Sequence, residues 1–284
     1  MKYVFIFLLS ASILYGKDFI VSYRGPESNT DIRFEYPLAI IRASLDATVK
    51  EYGSYKLIPV FRLNNKRAQA PNYVSTLDNF LFDAAISSER EAVLQSIKIP
   101  TSKGIFGYRV FIINKKDQPI FDKITSIEDL KKISFGQNDS WLDYLILKDA
   151  GFNVIAGNNY DGLFSMLAGG RFQAFPRGIN EAYKEVEQKK KEFPELTVEK
   201  NICLYYPLPR YFYTSKNNKL LIERMTKGME IIIANGTFDK IWTKYNIQSI
   251  NQSELKKRKI FYIENKYLPP DILKNTKKYM YNIE

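Results

Sequence analysis

The chain contains no histidine and a single cysteine in 284 residues. Without histidine, neither Ser-His-Asp nor Cys-His catalysis can be assembled, and histidine-ligated metal sites are excluded with them. One cysteine, Cys203, leaves no intramolecular disulfide and no thiolate zinc cluster. It sits in the apolar run 202–206 and reads as a core residue. A P-loop and a dinucleotide fingerprint are also missing. Neither a cofactor nor a metal is therefore expected.

Long apolar runs are scarce too. The one at the start has the order of an export signal: Met1 and Lys2, apolar residues 3–9, then small residues to Gly16. It is too short to anchor in a bilayer, so a signal peptide over 1–16, cleaved before Lys17, and a periplasmic location are expected. No cysteine follows the cleavage point to carry a lipid. The 45% hydrophobic content supports a folded chain, large enough for one large domain or two lobes with their own cores. The net charge of +11 comes mostly from dispersed lysine, and the clusters 189–191 and 256–259 read as solvated helix faces, so no nucleic-acid partner is expected.

Short β-rich runs alternate with helical patterns, the rhythm of an α/β architecture with largely parallel sheets. Strands are expected at 19–23, 55–61, 82–86 and 105–113, with a helix at 36–52, a helix-compatible stretch at 64–80 and a short helix or turn at 89–96. A second unit opens at Ser126, whose oxygen can cap a helix with Asp129 three residues on. Strands at 133–135, 153–155, 172–175 and 196–206 then alternate with helices at 140–150, 160–170 and 179–193. Leu163, Phe164 and Leu167 lie at core spacing. Beyond Pro207 and Pro209 come a strand at 211–214, a long helix at 219–235 and a short one at 238–245. The lysine- and tyrosine-rich tail, 251–284, is expected to pack on the outside of a lobe.

Four segments in order carry a resemblance. They are Asp83-Ala84-Ala85-Ile86-Ser87-Ser88-Glu89-Arg90; Phe135-Gly136-Gln137-Asn138-Asp139-Ser140; Met166-Leu167-Ala168-Gly169-Gly170-Arg171-Phe172; and Asn235-Gly236-Thr237-Phe238-Asp239-Lys240. Together they resemble the bacterial extracellular solute-binding proteins of family 3, the polar amino-acid type. The resemblance implies a type II periplasmic-binding-protein-like fold: two α/β lobes, two crossover strands and a central cleft that captures a small molecule. Lobe one would hold 17–108 and 215–284, with 251–284 as an extension, and lobe two 109–214. The crossovers would be 108–111 and 210–213. A monomer that serves a membrane permease of the ABC type, or a sensor, and performs no catalysis is the implied role.

By position in that family, Arg90 would grip a ligand carboxylate, which suits a planar guanidinium; a loop-stabilising arginine is the alternative. Ser87 and Ser88 would add hydroxyl contacts. Asn138 to Ser140 would open a helix whose free N–H groups favour an anion, unless Ser140 is an ordinary cap. Where the family commonly has an aspartate for the ligand's amino group, this chain has Pro176-Arg177-Gly178-Ile179-Asn180-Glu181, similar to a divergent branch of the family without an assigned ligand. Arg177 would repel an ammonium and attract an acidic group, unless Glu181 turns inward. An acidic or carboxylate-bearing ligand is therefore expected. Arg24, Arg67 and Arg109 either face the cleft or pair with Glu27, Asp31 or Glu181, while Tyr23, Trp141 and Tyr160 are walls or core. Two other classes remain open. One is an enzyme using Asp139 with Asp143 or Glu181 with Glu185, each pair sharing a helix face. The other is a ligand-free protein–protein interaction module on the same fold.

Overall fold

The computed structural model describes residues 19–281 apart from 30, 62 and 64, so the export segment expected at 1–16 lies outside the described residues. Twelve strands occur among them: β1 (Phe19–Arg24), β2 (Tyr55–Val60), β3 (Phe82–Ala85), β4 (Gln95–Ser96), β5 (Tyr108–Asn114), β6 (Ser134–Asn138), β7 (Asn153–Gly157), β8 (Ala174–Gly178), β9 (Leu196–Val198), β10 (Ile202–Tyr205), β11 (Arg210–Thr214) and β12 (Lys259–Tyr262). They divide between two lobes. In lobe one β1 and β2 run parallel, and β11 pairs antiparallel with β3 and β4. A parallel bridge from Tyr23 to Leu81 ties the two groups together. Lobe two is built on the sheet β12-β10-β5-β8-β6-β7, with β9 beside β5.

The sheets are mixed rather than largely parallel. β6, β7 and β8 are parallel, as βαβ crossovers require, whereas β5 and β11 arrive from the opposite lobe and enter antiparallel. The chain crosses from lobe one through 97–107 and returns through 206–209.

Most helices fall where the apolar spacing puts them, and the departures have local causes. The helix expected at 36–52 is two pieces, Glu35–Asp46 and Val49–Tyr52. Between them the Thr48 hydroxyl donates back to the carbonyls of Ser44 and Leu45, the local competition that interrupts helices. The strand expected at 196–206 breaks at Glu199, whose buried carboxylate accepts the N–H groups of Asn201 and Ile202. The short helix at 238–245 instead runs Thr237–Ser253, because its buried face carries Asn246, Ser249 and Ser253 beside Trp242 and Ile250. Two basic clusters read as solvated contain buried members. Lys189 pairs with Asp161 at 2.8 Å and Arg258 with Glu199 at 3.3 Å.

The tail does not stay with lobe one. β12 runs parallel to β10 as the edge of the lobe-two sheet. The chain then returns: the Tyr267 carbonyl accepts the Ser88 N–H at 2.9 Å, and Leu268 and Ile272 pack on the lobe-one cluster of Phe80, Phe82 and Tyr211. Tyr281 ends against Trp242, ring centroids 4.7 Å apart. An amphipathic pattern confined to a few residues leaves the partner sheet undetermined, which is why sequence alone assigns the tail elsewhere.

In lobe one the helix Lys219–Ala234 crosses Glu35–Asp46 at close range. It buries Leu221, Met225, Gly228, Met229 and Ile232, an apolar stripe at helical spacing. Gly228 lies where a Cβ would come within 2.2 Å of the Ser44 carbonyl oxygen. Gly228→Ala should therefore force the helices apart and cost about 1–3 kcal/mol, seen as a lower melting temperature; an unchanged value would remove this crossing as a determinant of packing.

Candidate functional site

Between the lobes lies a cavity of about 160 Å³, about five water volumes and room for a small metabolite. Lobe one contributes the loop after β1, the start of the helix Glu35–Asp46, β3 and Arg90. Lobe two contributes Trp141 to Asp143 and the residues that follow β8. Tyr23, Arg24, Arg90, Trp141, Arg177 and Glu181 all line it, together with Arg33, Arg109, Asn180 and Arg210.

The walls are rich in arginine, and nearly every arginine already holds a carboxylate. Arg177 donates from Nε and Nη2 to both oxygens of Glu185, at 2.7 and 2.6 Å, and reaches Glu181 at 2.9 Å. Burial opposes its charge, but Glu181 and Glu185 more than reverse this and hold its pKa well above the usual arginine value. Arg109 pairs with Asp143 at 2.6 Å and with Glu181 at 3.4 Å. Arg210 pairs with Asp83 at 2.6 Å, Arg24 with Glu27 at 2.6 Å, and Arg33 with both Asp31 oxygens at 2.7 Å. The acidic guest expected from the sequence loses its basis here. Arg177 does not present a bare cation, because the helix Ala182–Lys189 returns Glu185 over it and Glu181 turns inward.

Arg90 differs. Its guanidinium donates to the Ala85 carbonyl and the Gln69 side-chain oxygen, both neutral, and among the described residues it has no ion pair. Burial holds its pKa below the ordinary arginine value. A desolvated cation with neutral partners is a strong attractor for an anion.

Opposite it, the Pro-Arg-Gly-x-Asn-Glu run has a physical rationale. Glu181 folds back so that its Oε2 accepts the Gly178 N–H at 3.0 Å, and a Cβ on Gly178 would lie 2.7 Å from Asn180 Oδ1 and 3.0 Å from Glu181 Oε2. Glycine leaves room for both where they stand. Glu181 is shared by Arg177 and Arg109, and although burial works to raise its pKa, those two arginines lower it. Asn180 Oδ1 is buried on the cavity wall with no donor of its own. Nothing in the composition marks Asn180, Arg33 or Arg210, since their importance depends on which strand ends the fold brings together.

Four expected contacts lie outside the cavity wall. Ser87 caps the helix Ser88–Val93, accepting from the Arg90 N–H at 3.2 Å. Ser88 is exposed and its N–H is taken by Tyr267. Asn138 Oδ1 accepts the Ser140 N–H at 3.0 Å and the Ser140 hydroxyl at 2.5 Å. The following helix starts only at Leu142, so Ser140 neither caps it nor meets the cavity. Arg67, which lies over Tyr73 at 4.4 Å, is also away from the wall. Cys203 is buried in β10, where loss of solvent pushes its thiol up to about 12.

The paired carboxylates proposed for catalysis are engaged elsewhere: Glu181 and Glu185 hold Arg177, and Asp143 holds Arg109 and accepts the Tyr206 hydroxyl at 2.5 Å.

No protein-family model matches the chain, and no curated protein matches it by sequence. Solved structures do match. The arginine-, lysine-, histidine-binding protein ArtJ from Geobacillus stearothermophilus superposes with a TM-score of 0.56 at 14% identity, over 81% of this chain and 95% of that one. A periplasmic binding protein of Salmonella typhimurium with high arginine specificity gives 0.57 at 10%, over 81% and 99%. An ancestral arginine-binding protein bound to glutamine gives 0.56 at 22%, over 80% and 97%. At such identities the likeness concerns the backbone. This chain has the two-lobed α/β fold of the periplasmic binding proteins, with a cavity in the cleft between its lobes.

Proposed function

We propose that this chain is an exported solute-binding protein whose lobes close on a small zwitterion of the α-amino-acid type, with the carboxylate on Arg90 and the ammonium between Glu181 and Asn180. The observation that carries the reading is the pairing of charges on the cavity wall. Arg24, Arg33, Arg109, Arg177 and Arg210 are matched by Glu27, Asp31, Asp143, Glu185 and Asp83, and Lys184 has Glu35 as its acidic neighbour. In that one-to-one count Arg90 and Glu181 remain, one of each sign, on opposite lobes, Arg90 with neutral partners and Glu181 as a second carboxylate shared by Arg177 and Arg109.

A ligand that joins them is desolvated from both sides as the cleft closes. Its binding energy then biases the hinge, which is the signal a permease or sensor in the membrane would read. Similar solved proteins bind arginine or glutamine, and binding without turnover is consistent with carboxylates tied up in ion pairs.

Calorimetry and thermal shift with a panel of L-amino acids test the reading. A ligand at a hundred times its dissociation constant should raise stability by about 2.7 kcal/mol. Arg90→Ala should weaken binding by about a hundredfold or more, the cost of removing one partner from a buried charge pair, without unfolding the protein; retained affinity would discard the assignment of Arg90. Asn180→Ala should cost about ten- to a hundredfold in affinity. Because its Oδ1 has no donor among the described residues, ligand-free stability should hardly change. A fall in stability with affinity intact would make Asn180 a structural residue only.

A further inference from the structure

Arg33 belongs to lobe one, on the loop ahead of the helix Glu35–Asp46, yet its guanidinium reaches into lobe two. It lies 4.0 Å from the centroid of Tyr160 and 5.5 Å from that of Trp141. Behind it, Asp31 binds Nε and Nη2 at 2.7 Å each, and Glu27 accepts from Nη2 at 3.1 Å. Two carboxylates at the back and aromatic faces in front form a complete recognition site for a guanidinium, and the guanidinium in it is the protein's own. Burial works against the Arg33 charge, but Asp31 outweighs it and raises the pKa, so the cation is permanent.

Other aromatic walls are similarly occupied. Arg177 lies 4.9 Å from Trp141 on the same side of the cleft, Arg24 covers Phe34 at 5.2 Å, and Arg210 covers Phe106 at 4.7 Å. The wall carries seven basic and five acidic side chains, and Glu27 and Asp31 behind it bring the balance to zero. Once a zwitterionic head has used Arg90 and Glu181, no unmatched carboxylate remains for a basic side chain.

We propose that Arg33 is the specificity-determining residue of this cleft: it fills in cis the place that a ligand guanidinium or ammonium would take, so that the protein selects amino acids with uncharged side chains and rejects arginine and lysine. The inference rests on the amino-acid reading of the cleft given above. With Asp31 and Glu27 already neutralised by Arg33, a basic side chain would be buried there without a counter-charge and should bind on the order of a hundredfold more weakly. Removing Arg33 leaves Asp31 without its guanidinium beside Tyr160 and Trp141, while Arg24 keeps Glu27 and Arg177 stays over Trp141.

The test uses the full chain after unfolding and refolding to strip any trapped ligand, as wild type, Arg33→Ala and the milder Arg33→Gln. Wild type should bind at least one uncharged L-amino acid about a hundredfold more tightly than L-arginine or L-lysine. In Arg33→Ala, the affinity for L-arginine should rise at least tenfold relative to that for the uncharged ligand. Millimolar methylguanidinium should raise the melting temperature of the variant but not of wild type, a readout independent of any amino-acid binding. Tight L-arginine binding by wild type would overturn the role of Arg33 and leave the amino-acid reading intact. Rescue by methylguanidinium with no amino acid binding either protein would overturn the amino-acid reading and the specificity that depends on it. Absence of both rescue and arginine gain in a folded Arg33→Ala or Arg33→Gln would overturn the inference outright. If neither variant folds, the wild-type comparison of uncharged with basic amino acids decides it alone.

Discussion

A guanidinium taken out of water between two lobes has to be given a counter-charge, because stranding one costs about 3–5 kcal/mol. That requirement organises the cleft. It explains why the loop after β1 folds Glu27 and Asp31 around Arg24 and Arg33, why the helix Ala182–Lys189 turns Glu185 over Arg177, and why Asp83 and Asp143 sit opposite Arg210 and Arg109. Each pair fixes a strand end or loop that faces the cavity. The site is therefore shaped by the pairing of charges, and what the pairing leaves over is what a ligand sees. Rigid, satisfied polar networks of this kind are well suited to hold a binding site in one geometry.

The βα rhythm was legible because it rests on local spacing: the Ser126 capping box and the buried positions Leu163, Phe164 and Leu167 need only nearby residues. That Arg90, Arg177 and Glu181 line the cavity follows from short motifs with a recognisable order. Their state does not. Whether Arg177 is a bare cation depends on Glu185, eight residues on, and on Glu181 folding over a glycine. Asn138 and Ser140 hydrogen-bond to each other, a local pairing that the motif does not reveal. The place of Arg33 was not legible because, although its acidic partners Asp31 and Glu27 are local, the rings it meets, Tyr160 and Trp141, come from the other lobe.

The similar solved structures include proteins described with arginine and one with glutamine on comparable backbones. A fold of this type fixes where a ligand sits and how the lobes approach it. A few side chains on the wall decide which ligand that is. On the proposed reading, the aromatic and acidic groups around Arg33 would let one residue of the chain change the guest while the backbone is retained.

The return of the tail changes the order in which the molecule can be completed. Lobe two lacks its edge strand until β12 has been made, and the cluster of Phe80, Phe82 and Tyr211 in lobe one lacks the cover of Leu268 and Ile272 until still later. Neither half is finished when its own share of the chain has been synthesised. Completion of both lobes thus waits on the same short stretch, 259–272, which supplies an edge strand to one and a hydrophobic cover to the other.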